Sequence, residues 1–168
     1  MIETHPFGSF VPKNARYLIL GSFTAKLGDG SYNWFYGTKR NQFWPILENV
    51  YGRKFKDRND KEKFFSGLGV AISDIIYQCE RKIGSNLDAN LINIVYNTKL
   101  VEKILAENKI EKIFFSSRFV ETKFKKVFKH LVSQYPKMEL VTLPSPSPRF
   151  AAMRLEEKIR RFKELLPR

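Results

Sequence analysis

Four short apolar runs punctuate the chain: Tyr17-Leu18-Ile19-Leu20, Val70-Ala71-Ile72, Ile113-Phe114-Phe115 and Leu140-Val141-Thr142-Leu143. Each is too short for a helix and predicts a buried strand. Between them the apolar period lengthens. Trp44, Leu47 and Tyr51 fall at i, i+3 and i+7, and a short charged segment near 59–66 ends on Phe64 and Phe65. Leu100, Val101, Ile104 and Leu105 form a stripe before the third run. Val120, Phe124, Val127, Phe128 and Leu131 form another after it, and Leu155, Ile159, Phe162 and Leu166 form the last. These stripes predict amphipathic helices. Strand alternating with helix predicts an α/β fold: a three-layer sandwich with a four-stranded parallel sheet flanked by helices. No repeat, low-complexity tract or Pro/Gly/Ser linker divides the chain, so 1–168 is expected to be one domain.

Small polar groups follow each predicted strand: Gly21-Ser22-Phe23-Thr24, Ser73-Asp74, Ser116-Ser117-Arg118, and Pro144-Ser145-Pro146-Ser147-Pro148-Arg149. In open parallel sheets, ligands sit outside the carboxyl ends of the strands, so this edge is the expected working face. Strand-to-helix turns are polar anyway, because they cap helices. That accounts for Ser116 or Ser117 and accounts poorly for the proline-rich turn. Gly21 permits a tight turn and close backbone approach. Phe35 and Tyr36 offer flat faces on which a base can stack. Asn41 suits an N-cap, and its amide can also read a base edge or hold a water. Trp44 and Phe43 read as helix core.

In the last turn, Ser147 is expected to cap the final helix, with Pro148 at its first position. Backbone N–H groups there, with the Ser145 and Ser147 hydroxyls, suit a phosphate. Arg149 can pair with phosphate or enter a groove, and a plain rigid cap is the alternative. Asp74 closes the second strand as either a cleft acid or a structural cap. Arg81 and Ser85 are expected to reach a nucleic-acid backbone. Cys79 reads as a small buried side chain rather than a nucleophile. His5 lies in a tail-like stretch and His130 late in a basic helix, so neither is expected in a triad. An esterase built on Ser22 would need such a histidine.

Charge narrows the choice of partner. The chain has 30 Lys and Arg against 17 Asp and Glu, a net +13. Residues 99–168 carry +9 of it, from 17 basic and 8 acidic side chains. Such an excess costs self-repulsion and points to a polyanion, with nucleic acid ahead of an anionic membrane surface. A single cysteine excludes an internal disulfide, an Fe–S cluster and a four-thiolate zinc site. No apolar run approaches the roughly 20 residues of a membrane helix, and no secretory signal pattern opens the chain. The expected address is cytoplasmic.

Several stretches together resemble the uracil-DNA glycosylase superfamily, most closely its hypoxanthine-DNA glycosylase branch. They are Leu18-Ile19-Leu20-Gly21-Ser22-Phe23, then Phe35-Tyr36-Gly37 through Arg40-Asn41-Gln42-Phe43-Trp44, and Gly69-Val70-Ala71-Ile72-Ser73-Asp74-Ile75-Ile76. Cys79-Glu80-Arg81, Gly84-Ser85-Asn86-Leu87-Asp88 and Leu143-Pro144-Ser145-Pro146-Ser147-Pro148 complete the ordered set. The resemblance implies a monofunctional glycosylase that flips a damaged nucleotide out of double-stranded DNA and hydrolyses its N-glycosidic bond. It implies no metal and no cofactor, and a monomer is the default.

By the same resemblance Asn41 is catalytic, because that branch lacks the first-motif Asp or Asn of its relatives. Asp74 is the reserve acid or base. Gly21, Ser22, Phe23, Phe35 and Tyr36 would bind the base. Arg81, Ser85, Ser117, Arg118, Ser145, Ser147, Arg149 and Phe150 would hold the DNA, with Arg149 or Phe150 as wedge. Two departures from the family pattern touch the base pocket. Thr38-Lys39 replaces a usual His-Pro pair, and Leu143 stands where the uracil-specific enzymes carry His. A uracil or thymine mismatch glycosylase and a non-catalytic DNA-binding relative remain the alternatives.

Overall fold

The computed structural model describes residues 1–24, 34–82 and 87–168. Two short strands, β1 (Ile2–Thr4) and β2 (Ser9–Phe10), precede β3 (Tyr17–Gly21). Helices α1 (Phe43–Tyr51) and α2 (Arg58–Leu68) lead to β4 (Val70–Asp74). Then come β5 (Ile76–Arg81), β6 (Leu91–Tyr96), α3 (Thr98–Glu107) and β7 (Lys112–Phe115). Helices α4 (Arg118–Val127) and α5 (Lys129–Gln134), strand β8 (Glu139–Thr142) and helix α6 (Leu155–Leu165) complete the order.

The four predicted strands β4, β3, β7 and β8 lie side by side and parallel. The sheet they form is nevertheless five-stranded and mixed, because β2 pairs antiparallel with β4 at one edge. A second, antiparallel sheet has the order β1-β5-β6. The expectation of a lone four-stranded parallel sheet is therefore corrected. Strands β1 and β2, of three and two residues, leave no period to read, whereas β5 and β6, of six each, are additions that the apolar runs do not mark. The helix expected through Phe128 is also two helices, because Phe128 leaves helical geometry at φ −104° and ψ 27°.

Alternation along the strands splits the core. Leu18, Leu20, Ile113 and Phe115 face α3, α4 and α5 in a mainly aliphatic cluster. Ile19, Ile72 and Phe114 face α1, α2 and α6 among Trp34, Phe43, Trp44, Phe65 and Phe162. This places helices on both faces of the sheet. Each fully buried large side chain contributes roughly 1.5–3 kcal/mol of burial. The parallel register brings Gly21 beside Asp74 and Phe115 beside Thr142, so the carboxyl ends share one edge. Among the described residues no helix is long and apolar enough to cross a membrane.

Candidate functional site

A cleft of about 1110 Å³ opens along that edge. Its wall collects residues from separate parts of the sequence: Ser22, Phe23, Phe35, Tyr36, Asn41, Asp74, Ser117, Arg118, Ser145, Ser147, Arg149 and Phe150. Asn41 and Ser145, over a hundred positions apart, line the same space. Five exposed cations, Lys39, Arg40, Arg118, Arg149 and Arg161, also belong to its wall. A cleft whose exposed rim charges are mostly cationic concentrates anions.

Asp74 lies at the inner end of the cleft, buried, with His5 Nε2 at 2.6 Å from Oδ2. His5 Nδ1 accepts from the Phe7 and Gly8 backbone N–H groups, both at 3.2 Å. Two donors at Nδ1 place the ring proton on Nε2, which donates to the carboxylate. Gly21 makes this floor possible. A Cβ there would collide with the Asp74 carboxylate and sit 2.6 Å from the Tyr36 hydroxyl.

Tyr36 occupies the left-handed region at φ 56°, an unusual place for a bulky side chain. One face of its ring stacks on Phe43, with centroids 4.2 Å apart. Burial, with the Asp74 charge as a second cause, pushes its hydroxyl far above the ordinary tyrosine value, so it stays protonated and can donate. Two buried side-chain oxygens among the described residues lack a hydrogen-bond partner, Tyr36 Oη and Thr142 Oγ1. Both belong to this cleft, with Ser116 the polar neighbour of Tyr36 and Glu121 that of Thr142. Unsatisfied buried hydroxyls are costly, and a cleft that leaves two of them open is suited to a polar ligand.

The remaining walls are held by cross-links. Asn41 Oδ1 accepts from the Phe43 N–H at 2.9 Å, which satisfies the first amide of α1 and leaves the Asn41 NH₂ to donate. The next residue ties two walls together: Gln42 N–H donates to the Pro146 carbonyl at 2.9 Å. Lys158, from α6, is 1% exposed and donates to Gln42 Oε1 at 2.8 Å and to the Ser147 carbonyl at 3.0 Å. Trp44 Nε1 donates to the Phe35 carbonyl at 2.8 Å and fixes the loop that carries Tyr36.

Some expectations change. Arg81 does not line the cleft: its guanidinium is buried, bonded to Glu3 at 2.9 Å and to the Thr24 carbonyl at 2.8 Å, and stacked over Phe23. At 6% exposure the side chain presents little of itself to a phosphate. Ser147 does not cap the final helix, which starts at Leu155; its hydroxyl accepts from Arg149 N–H within the turn. The turn is stiffened instead by its own serine bonds, including Ser145 Oγ to Ser147 N–H at 3.2 Å. Ser117 caps α4 through Val120 N–H and still reaches the cleft. Phe35 is buried beside His5 as well as lining the cleft. Ser85 lies outside the described residues.

Two residues were missed. His5 belongs to no tail, because β1 docks its segment on β5 and His5 N–H reaches the Tyr77 carbonyl at 2.8 Å. Asp88, on a 3₁₀ turn (Asp88–Asn90), accepts from Ser22 Oγ at 2.7 Å at the cleft mouth. Burial pushes its carboxyl up, against the Ser22 hydrogen bond. These contacts also remove the esterase reading: the Ser22 hydroxyl faces a carboxylate, and both His5 nitrogens are engaged elsewhere. Among the described residues no cluster of His, Cys, Asp and Glu could hold a metal.

No family model matches the sequence, and no curated protein matches it. The fold is shared with a solved structure, the solution NMR structure of a "putative Uracil DNA glycosylase" from Methanosarcina acetivorans. The two are 24% identical and superpose with a TM-score of 0.67, over 98% of this chain and 99% of that one. At that identity the likeness establishes the architecture.

Proposed function

We propose that this single domain is a monofunctional DNA glycosylase, acting as a monomer without metal or cofactor. Its substrate is double-stranded DNA carrying a deaminated base, with hypoxanthine preferred, and it hydrolyses the N-glycosidic bond of the flipped nucleotide. The observation that carries the reading is the meeting of Asp74, Asn41 and Tyr36 in one cation-rimmed cleft on the sheet's carboxyl edge. Breaking the bond leaves positive charge on the sugar and negative charge on the departing base, an oxocarbenium-like transition state. DNA phosphates beside the sugar stabilise the cation, and the rim arginines hold those phosphates. Asn41 has its oxygen engaged by Phe43 N–H, so its free NH₂ is suited to donate to the leaving base. The N–H groups of Ser22 and Phe23 add to that stabilisation in the manner of an oxyanion hole. Asp74, the buried carboxylate of the cleft, is the base for water. Flipping costs a few kcal/mol, least for a mispaired base, which favours damaged sites.

Duplexes carrying hypoxanthine, uracil or a mismatched thymine provide the test, with the free base as readout. Release is expected fastest from the hypoxanthine duplex. Asn41→Ala is expected to slow it by about a hundredfold, the scale of losing one well-placed donor. Faster uracil or thymine release would reassign the substrate, and wild-type turnover in Asn41→Ala would remove Asn41 from the mechanism. Tight, salt-sensitive binding with no base released would make the protein a non-catalytic binder.

A further inference from the structure

We propose that His5 is the positioning residue of the hydrolytic step, donating Nε2–H to Asp74 Oδ2 so that Asp74 Oδ1 stays free to take the proton of the attacking water. The inference rests on the glycosylase reading. The pair is enclosed: the His5 and Asp74 side chains are 1% and 5% exposed, and the bond is 2.6 Å. Phe7, Phe23 and Phe35 surround the imidazole with ring centroids 5.6–5.9 Å away. Water is thereby kept from the ring, and its polar exits are the two backbone donors at Nδ1 and the carboxylate at Nε2. The turn that supplies those donors needs Gly8 at φ 62°.

A buried pair that served only the fold would not need an oxygen on the cleft. Asp74 lines the cleft, and its Oδ1 has no hydrogen-bond donor among the described residues. In the step, the water oxygen bonds to C1′ as the C1′–N bond breaks, and that electron pair leaves with the base. The water proton passes to Asp74 Oδ1 and then to solvent, and the base takes a proton from solvent. The titratable groups facing Asp74 are His5 on the N-terminal segment, Tyr36 before α1 and Asp88 on the 3₁₀ turn, with the Arg81 cation beyond Asp88.

The test compares wild type, His5→Phe and His5→Gln in the full chain, by single-turnover base release across acidic to neutral pH. Duplex affinity is measured alongside to establish folding. His5→Phe is expected to slow release at least about tenfold and to move the acidic limb of the profile to higher pH, since a carboxylate that loses a hydrogen-bond donor is less stabilised in its charged form. His5→Gln, whose amide N–H can reach Oδ2, is expected to stay within about threefold of wild type with little shift. If His5→Phe does not fold, His5→Asn, too short to reach Oδ2, takes its place with the same expectation. Wild-type rates and an unshifted profile in His5→Phe would overturn the role, as would equal slowing of both variants at an unshifted profile. In either case a releasing wild type leaves the glycosylase reading standing. A wild type that releases no base overturns both.

Discussion

The floor and the mouth of the cleft each carry an aspartate, and the fold treats the two differently. Asp74 ends a central parallel strand, is enclosed, and holds an imidazole N–H at 2.6 Å. Asp88 sits on a short turn, half-buried, and holds a serine hydroxyl at 2.7 Å. Desolvation raises the Asp88 carboxyl above the ordinary aspartate value. Identical side chains thus receive different surroundings, the arrangement by which pairs of carboxyls can divide acid and base work. On the glycosylase reading the floor holds the proton acceptor, and burial disfavours the charged form of the carboxyl at the mouth.

Substitution at each aspartate would break or sharpen that contrast, and the floor is expected to give the largest effect. Asp74→Asn should lower base release by about a hundredfold or more while leaving duplex affinity within a few-fold, since a positioned general base contributes about 10²–10⁴. Equal loss in Asp88→Asn would erase the distinction, because that variant is expected to stay within about tenfold. Asp88→Asn has its own signature in stability. A raised carboxyl binds its proton more tightly folded than unfolded. Its contribution is therefore fully present below the ordinary aspartate range and is lost as pH rises through the raised value. Thermal melts across that window should show a falling limb in wild type that flattens in the variant.

Lys158, bonded to Gln42 and to the proline turn, gives a smaller effect. Lys158→Met would leave Gln42 Oε1 and the Ser147 carbonyl without their donor, at a cost of about 1–3 kcal/mol read by denaturant unfolding. Base release should fall with it, because the Gln42 N–H bond to Pro146 would be the remaining hydrogen-bonded tie between the proline turn and the start of α1. The smallest effects belong to the rim. Arg118→Gln and Arg149→Gln should weaken all duplexes alike and each reduce the slope of log affinity against log salt by roughly one. A loss confined to lesion-bearing duplexes would move these arginines from phosphate holding to base reading.

What the sequence displayed of this contrast was its frame. The runs at 17–20, 70–72 and 113–115 are almost wholly buried between helices, the edge run at 140–143 is largely half-buried, and all four read plainly as the parallel strands. The polar groups after them mark the edge where the cleft opens. Asp74 was visible for the same reason, as a charge closing an apolar run. His5 was not, because its partner lies 69 positions away and the contact depends on a three-residue strand docking on β5. Asp88 was visible only as the end of a motif. Its hydrogen bond to Ser22 spans 66 positions and two different chain segments. The proline-rich turn is plain in the sequence and its geometry is not, since Pro148 suggests a helix start that the chain delays to Leu155. Arg81 illustrates the converse: a cation in a family-like motif whose charge is satisfied inside the protein.

The central claim is that a nucleotide turned out of duplex DNA enters this cleft with its sugar over Asp74. A crystal structure with a duplex bearing a non-hydrolysable 2′-fluoro deoxyinosine tests it most directly. The base should lie against Tyr36 within reach of the Asn41 amide, with C1′ facing Asp74 Oδ1 across a single water. An unflipped duplex bound on another face, with the cleft empty, would contradict the account.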